Sequence, residues 1–143
     1  MTRAAFLLGI ISMQAVWATE PLVGIWKLES QKMNGEKSDF EPLTLRIAQS
    51  GDKLAFAFSV PVNNIHYVSM RYVVKLDGSD GEVKNGQGEN IGAIKMTKGA
   101  ASEYKFILSG KNRPSTSGTL TVSSDGNHLT SESGKLKQVF ARP

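Results

Sequence analysis

The chain has no cysteine in 143 residues. That excludes a disulfide framework, a thiol nucleophile, a thiolate metal site and an acylated lipobox cysteine. Asn-X-Ser/Thr glycosylation sites are missing as well. Histidine is scarce: His66 and His128 lie in different predicted strands, with no second ligand at metal spacing, and read as exposed strand or turn residues. No Gly-X-Ser-X-Gly elbow is present. Ser133-Gly134-Lys135 lacks the start of a phosphate loop, because Leu129 stands where that motif needs its first glycine. Ser50-Gly51-Asp52-Lys53 matches Ser-X-X-Lys only in letters, since that motif needs a helix to stack the two side chains and here it spans a turn. Asp77, Ser79, Asp80 and Glu82 miss the alternating acidic spacing of a calcium loop and read as an Asx-rich turn. With no acid, base or nucleophile assembled, the chain reads as a binding protein rather than an enzyme, with no cofactor and no metal.

Helical periodicity is the other absence. Beyond the first residues, no apolar stripe at i, i+3, i+4, i+7 persists for more than two turns. The N-terminus is different in kind. Arg3 precedes an apolar stretch from Ala4 to Trp17 that is too short to span a bilayer, and Val16-Trp17-Ala18 places small residues at the −3 and −1 positions of a cleavage site. Residues 1–18 are therefore expected to be a secretory signal peptide, cleaved after Ala18, and residues 19–143 a single domain in the periplasm or secreted, with no stable membrane anchor. The formal charge is +4, from 17 Lys and Arg against 13 Asp and Glu, and the signs are interleaved along the chain. This is a solvated surface and not a nucleic-acid footprint. Nothing in the sequence fixes an oligomeric state.

What is present is alternation. In Gly24-Ile25-Trp26-Lys27-Leu28, Gly24, Trp26 and Leu28 share one strand face. A buried Trp removes roughly 150–250 Å² from water, so the core is expected to form around Trp26. Leu43, Leu45 and Ile47 alternate next, and Ser50-Gly51-Asp52 turns them into Leu54, Phe56, Phe58 and Val60, a hairpin. Asn63-Asn64 breaks the pattern. Val68, Met70, Tyr72, Val74 and Leu76 then form one apolar face, expected to point inward. The glycines of Asp77 to Asn90 read as punctuation, with pairing confined to Glu82 to Lys84. Further strands follow at Ile91–Thr97, Glu103–Ser109 and Gly118–Ser123. Asp125-Gly126 signals a type I′ hairpin into Asn127–Ser133, and Leu136–Arg142 is the last strand. Eight to ten strands with short links and no crossover helix predict an all-β fold, an antiparallel up-and-down β-barrel of 8–10 strands; a β-sandwich is the alternative.

On these residues the chain resembles the calycin superfamily. Gly24-Ile25-Trp26 on a first barrel strand is similar to the opening of lipocalins and fatty-acid-binding proteins. The run Tyr72 to Gly78, the stretch Ser124 to Thr130 and the terminal Val139-Phe140-X-Arg142 look like small exported bacterial lipocalin-like domains. The resemblance implies that Trp26 closes the barrel base under Arg142 in a cation–π contact, and that the interior binds a small apolar or amphipathic molecule. It departs from fatty-acid-binding proteins where they hold the carboxylate with Arg-X-Tyr, because the matching positions are Gln138 and Phe140; Gln31 to Glu41 is also too short for their helical lid. The expected ligand-lining set is Phe56, Phe58, Met70, Tyr72, Tyr104, Phe106, Gln138 and Phe140, with core filling as the competing role of the same side chains. A second function fits the exposed loops Asp77 to Asn90 and Lys111 to Ser115: a protein-interaction or inhibitor barrel with a packed core.

Overall fold

The computed structural model describes residues 18–143. The expected leader at residues 1–18 lies, except for Ala18, outside the described residues. Among the described residues every regular element is a strand: β1 (Gly24–Met33), β2 (Glu36–Lys37), β3 (Thr44–Ser50), β4 (Lys53–Val62), β5 (Ile65–Lys75), β6 (Asp77–Asn85), β7 (Asn90–Lys98), β8 (Glu103–Gly110), β9 (Thr116–Val122), β10 (His128–Ser133) and β11 (Leu136–Ala141). Each long strand pairs antiparallel with the next, and β11 returns to pair with β1, so the sheet closes. The two-residue β2 only folds back on the end of β1. The result is a ten-stranded antiparallel up-and-down barrel. Closure removes the free edges that an open meander of this length would expose.

The predicted alternation sets the register. Leu45 pairs with Phe58 and Ile47 with Phe56; Leu54, Phe56 and Phe58 meet Val74, Tyr72 and Met70 across β4 and β5. The buried core comprises Leu22, Trp26, Leu45, Ile47, Leu54, Phe56, Tyr72, Val74, Val83, Ile94, Met96, Tyr104, Leu120, Val122, Leu129 and Phe140. Most of these sit toward the end of the barrel where β1 begins and β11 ends; we call that end the base and the opposite one the mouth. Toward the mouth the inward residues Phe58, Met70, Phe106 and Leu108 are only partly buried. Burial graded along the barrel axis is what a cup closed at one end would give.

Three local features differ from the sequence reading. First, Asp77 to Asn85 is a nine-residue strand, not a loop with one short pairing. Its Gly81 marks close strand approach instead of a turn, since a Cβ there would strike the Val73 carbonyl. Second, Val68 is exposed although it shares the phase of Met70 and Tyr72. β3 accompanies β4 only to Ser59, and β6 accompanies β5 only from Met70, so Val60 to Ser69 form a hairpin projecting beyond both neighbours. A bulge between Phe58 and Ser59 starts this projection. Third, two-residue turns with paired positive φ occur at Asn34-Gly35 (55° and 79°) and Asn63-Asn64 (51° and 63°), not at Asp125-Gly126, where Gly126 alone adopts it at 76°. Asp125 instead accepts from Ser123 Oγ at 2.5 Å and from the Asn127 amide at 3.0 Å, which fixes a longer loop between β9 and β10.

Candidate functional site: the barrel mouth

The base is sealed. Trp26 is fully buried and donates from Nε1 to the Leu22 carbonyl at 2.9 Å. The Arg142 guanidinium lies 4.0 Å over its ring, donating to the carbonyls of Gly126, Val23 and Pro21. Beside it Glu20 accepts from the Tyr104 hydroxyl at 2.8 Å and pairs with Lys98 at 2.8 Å. Burial raises the Glu20 pKa, but the hydrogen bonds from Lys98 and Tyr104 and the Lys98 charge outweigh it, leaving the carboxyl below its usual range. Burial, then the Glu20 hydrogen bond and charge, push the Tyr104 hydroxyl upward. These polar groups are consumed in closing the barrel.

Above the base aromatic side chains pack on one another. Tyr72 stacks on Phe56 with centroids 4.7 Å apart and leans on Phe58 at 6.0 Å. Burial drives the Tyr72 pKa up. The Phe106 ring lies across Gly118, where a Cβ would collide with it. Higher on the opposite wall Gln138 donates to Gln31 at 3.0 Å, and Gln31 in turn donates to Ser38 Oγ and the Asp39 carbonyl at 3.3 Å. This amide relay ties β11 to the segment after β2.

An open cavity of about 520 Å³ lies at the mouth. Its apolar floor is Met70, Val83 and Leu108; Asn90, Lys111, Arg113, Pro114 and Thr116 form its rim. Among the described residues no Asp or Glu lines it. The volume falls within the roughly 300–1,000 Å³ of small-molecule sites. A larger trough of about 730 Å³ runs over the outside of β3, β4 and β5. It includes the outward residues Ile25, Arg46, Ala55, Ala57 and Arg71 together with Phe56 and Tyr72, and lies along the convex side of the sheet.

The eight residues expected to line a ligand divide by height. Phe56, Tyr72, Tyr104 and Phe140 belong to the buried core, and Phe58 and Phe106 pack against it from above. Gln138 is held in the amide relay. Met70 is the one of the eight that lines the mouth cavity. Sequence reasoning placed Leu108 in a strand and Lys111 and Arg113 in a loop, but did not assign them, Val83 or Asn90 to the binding set. Aromatic content drew attention to the middle of the barrel, whereas the signal for the mouth was a basic loop following an apolar strand.

Elsewhere His128 Nε2 stands 3.5 Å from the Glu29 carboxylate. Asp77 accepts from Ser79 N and Oγ, and Asp80 pairs with Lys95 at 3.9 Å. Among the described residues no three His, Cys, Asp or Glu side chains are grouped to hold a metal. No protein-family model and no curated protein matches this chain.

Proposed function

We propose that this chain is an exported, lipocalin-like barrel that binds a small apolar or amphipathic molecule at its mouth, without catalysing a reaction. The cavity over Met70, Val83 and Leu108 carries the reading: it is concave, floored by apolar side chains and rimmed by a few polar ones. The Gly24-X-Trp26 strand braced by Arg142 supports the calycin relationship, because the base closure takes the form that resemblance implies. Placement in the periplasm or outside the cell rests on residues 1–18. Native mass spectrometry of protein purified from its own host tests the function, with a co-purifying small molecule as the expected result. Protein that carries none, and takes up no alkyl probe, overturns it.

A second reading, a protein-interaction barrel, is favoured by one observation. The projecting β4–β5 hairpin exposes Val62, Ile65 and Tyr67 at 48%, 57% and 51%. Pull-down with intact protein and with a hairpin variant, Ile65→Asp with Tyr67→Asp, separates the two. Equal recovery of a partner by both proteins removes the hairpin from consideration.

A further inference from the structure

We infer that the ligand of the mouth is an amphipath with one anionic head, which Lys111 and Arg113 hold at the rim while the tail lies on Met70, Val83 and Leu108. This deepens, and rests on, the reading of the mouth as a ligand site. The charge in the lining is of one sign: two cations and no carboxylate. Neither cation is engaged. Among the described residues, ion pairs hold Lys75, Lys95, Lys98 and Lys137, whereas Lys111 and Arg113 have no acidic partner. An unpaired cationic pair beside an apolar floor attracts an anion at any range within the screening length of the solvent.

The loop that carries the pair is fixed rather than loose. Lys111 N donates to the Ile91 carbonyl at 3.3 Å, tying the loop to β7. Ser109 and Ser115 hydroxyls meet across its base at 3.2 Å, and Asn112 turns it with φ 57°. The Arg113 stem packs over Gly110, where an added Cβ would stand 3.5 Å from its Cβ and Cδ. The Arg113 stem is thereby held at the loop before any ligand arrives, which reduces the ordering cost of binding. Asn90 adds a donor to the rim. Its side-chain oxygen accepts from the Gly92 amide at 3.0 Å, which leaves the NH₂ for a ligand. The Asn90 amide and the two cations thus face the rim as donors, beside the Thr116 hydroxyl, which can donate or accept, and the floor of Met70, Val83 and Leu108 offers only hydrocarbon and a thioether. A carboxylate, sulfate or phosphate head with an alkyl tail satisfies both; a bare anion leaves the floor wet, and a neutral apolar molecule gains nothing from the charged donors, which stay hydrated.

The test uses four probes on the whole protein at neutral pH and low salt: octanoate, 1-octanol, octyltrimethylammonium and acetate. Binding is followed at the Met70 methyl by methionine-methyl NMR, assigned with Met70→Leu. Octanoate is expected to move this resonance with affinity at least about tenfold above the other three. In the Lys111→Gln, Arg113→Gln variant that advantage is lost, while 1-octanol titrates as in the wild type. Equal binding of octanoate and 1-octanol, an advantage that survives in the double variant, or acetate binding as well as octanoate overturns the inference; the first two leave the mouth standing as an apolar site. If no alkyl probe moves Met70, the inference and the proposed function fall together.

Discussion

Arg142 and Trp26, at opposite ends of the described chain, form one structural unit: the guanidinium covers the indole at 4.0 Å and its nitrogens satisfy three carbonyls from two segments. The pairing of β11 with β1 closes the barrel, and Arg142, directly after β11, braces that closure at the base. A Lys at this position keeps the charge but lacks the planar fork, so it leaves carbonyls unpaired. Arg142→Lys is expected to cost about 2 kcal/mol or more of stability, read as a shift of the urea midpoint at constant slope. A variant within about 0.5 kcal/mol of wild type would show that the fork does not brace the base.

Trp26→Ala is expected to cost about 3–5 kcal/mol by leaving a cavity beneath Arg142. The indole is at the base and the proposed ligand at the mouth, so octanoate affinity of the folded variant should match that of the wild type. A selective loss of binding without loss of stability would mean that Trp26 faces the ligand.

Gly24 is held to glycine by two separate constraints. Its φ of 140° is unfavourable for any side chain, and a Cβ there would collide with the Arg142 guanidinium. Gly24→Ala should therefore destabilise by about 1–3 kcal/mol. The penalty should shrink in an Arg142→Met background, where the collision is removed and only the backbone cost persists. Equal penalties in both backgrounds would show that Arg142 does not reach Gly24.

The projecting hairpin turns on Asn63 and Asn64, both left-handed. Asparagine tolerates that region better than alanine, and glycine better still. Asn64→Gly should leave stability unchanged or raise it, whereas Asn63→Ala and Asn64→Ala should each cost about 1 kcal/mol in thermal unfolding. Alanine variants as stable as wild type would refute the assigned turn.

The strand pattern was legible because the side-chain period of two fixes which residues share a face, and Leu45, Ile47, Leu54 and Phe56 all fall inside as that period requires. The Trp26–Arg142 closure was legible through resemblance. The nine-residue β6 was not, because Gly78 and Gly81 carry the composition of a turn, whereas Gly78 supplies a positive φ inside the strand and Gly81 meets a need for close backbone approach that only the folded neighbours create. Val68 failed for a related reason. Alternation tells which side of a strand a residue occupies, not whether the sheet continues beside it, and β5 outruns β6 there. The mouth was hardest to foresee. Its floor joins Met70, Val83 and Leu108 from three strands, and its cations come from a loop whose position depends on the Ile91 carbonyl and the Ser109–Ser115 contact.

The Glu20 cluster sets a pH dependence at both extremes. Its carboxyl is held below its ordinary value, so the folded state favours the charged form. That stability is fully present above the unfolded pKa of about 4.3 and is lost as the pH falls through the lower folded value. Tyr104 runs the other way. Its raised pKa favours the neutral hydroxyl, so its contribution is intact below about pH 10 and declines as the pH rises toward the folded value. Glu20→Gln keeps the shape but removes the charge that draws Lys98 and the Tyr104 proton together. The melting temperatures of wild type and Glu20→Gln are expected to differ most near neutral pH and to converge once the pH has fallen below the lowered folded value of Glu20, where both side chains are uncharged. Added salt should narrow the neutral-pH gap only in part, because the Glu20 side chain is 16% exposed and its pairing with Lys98 is correspondingly shielded from screening. A gap that stays constant down to low pH would mean that shape, and not charge, is what Glu20 brings to the base.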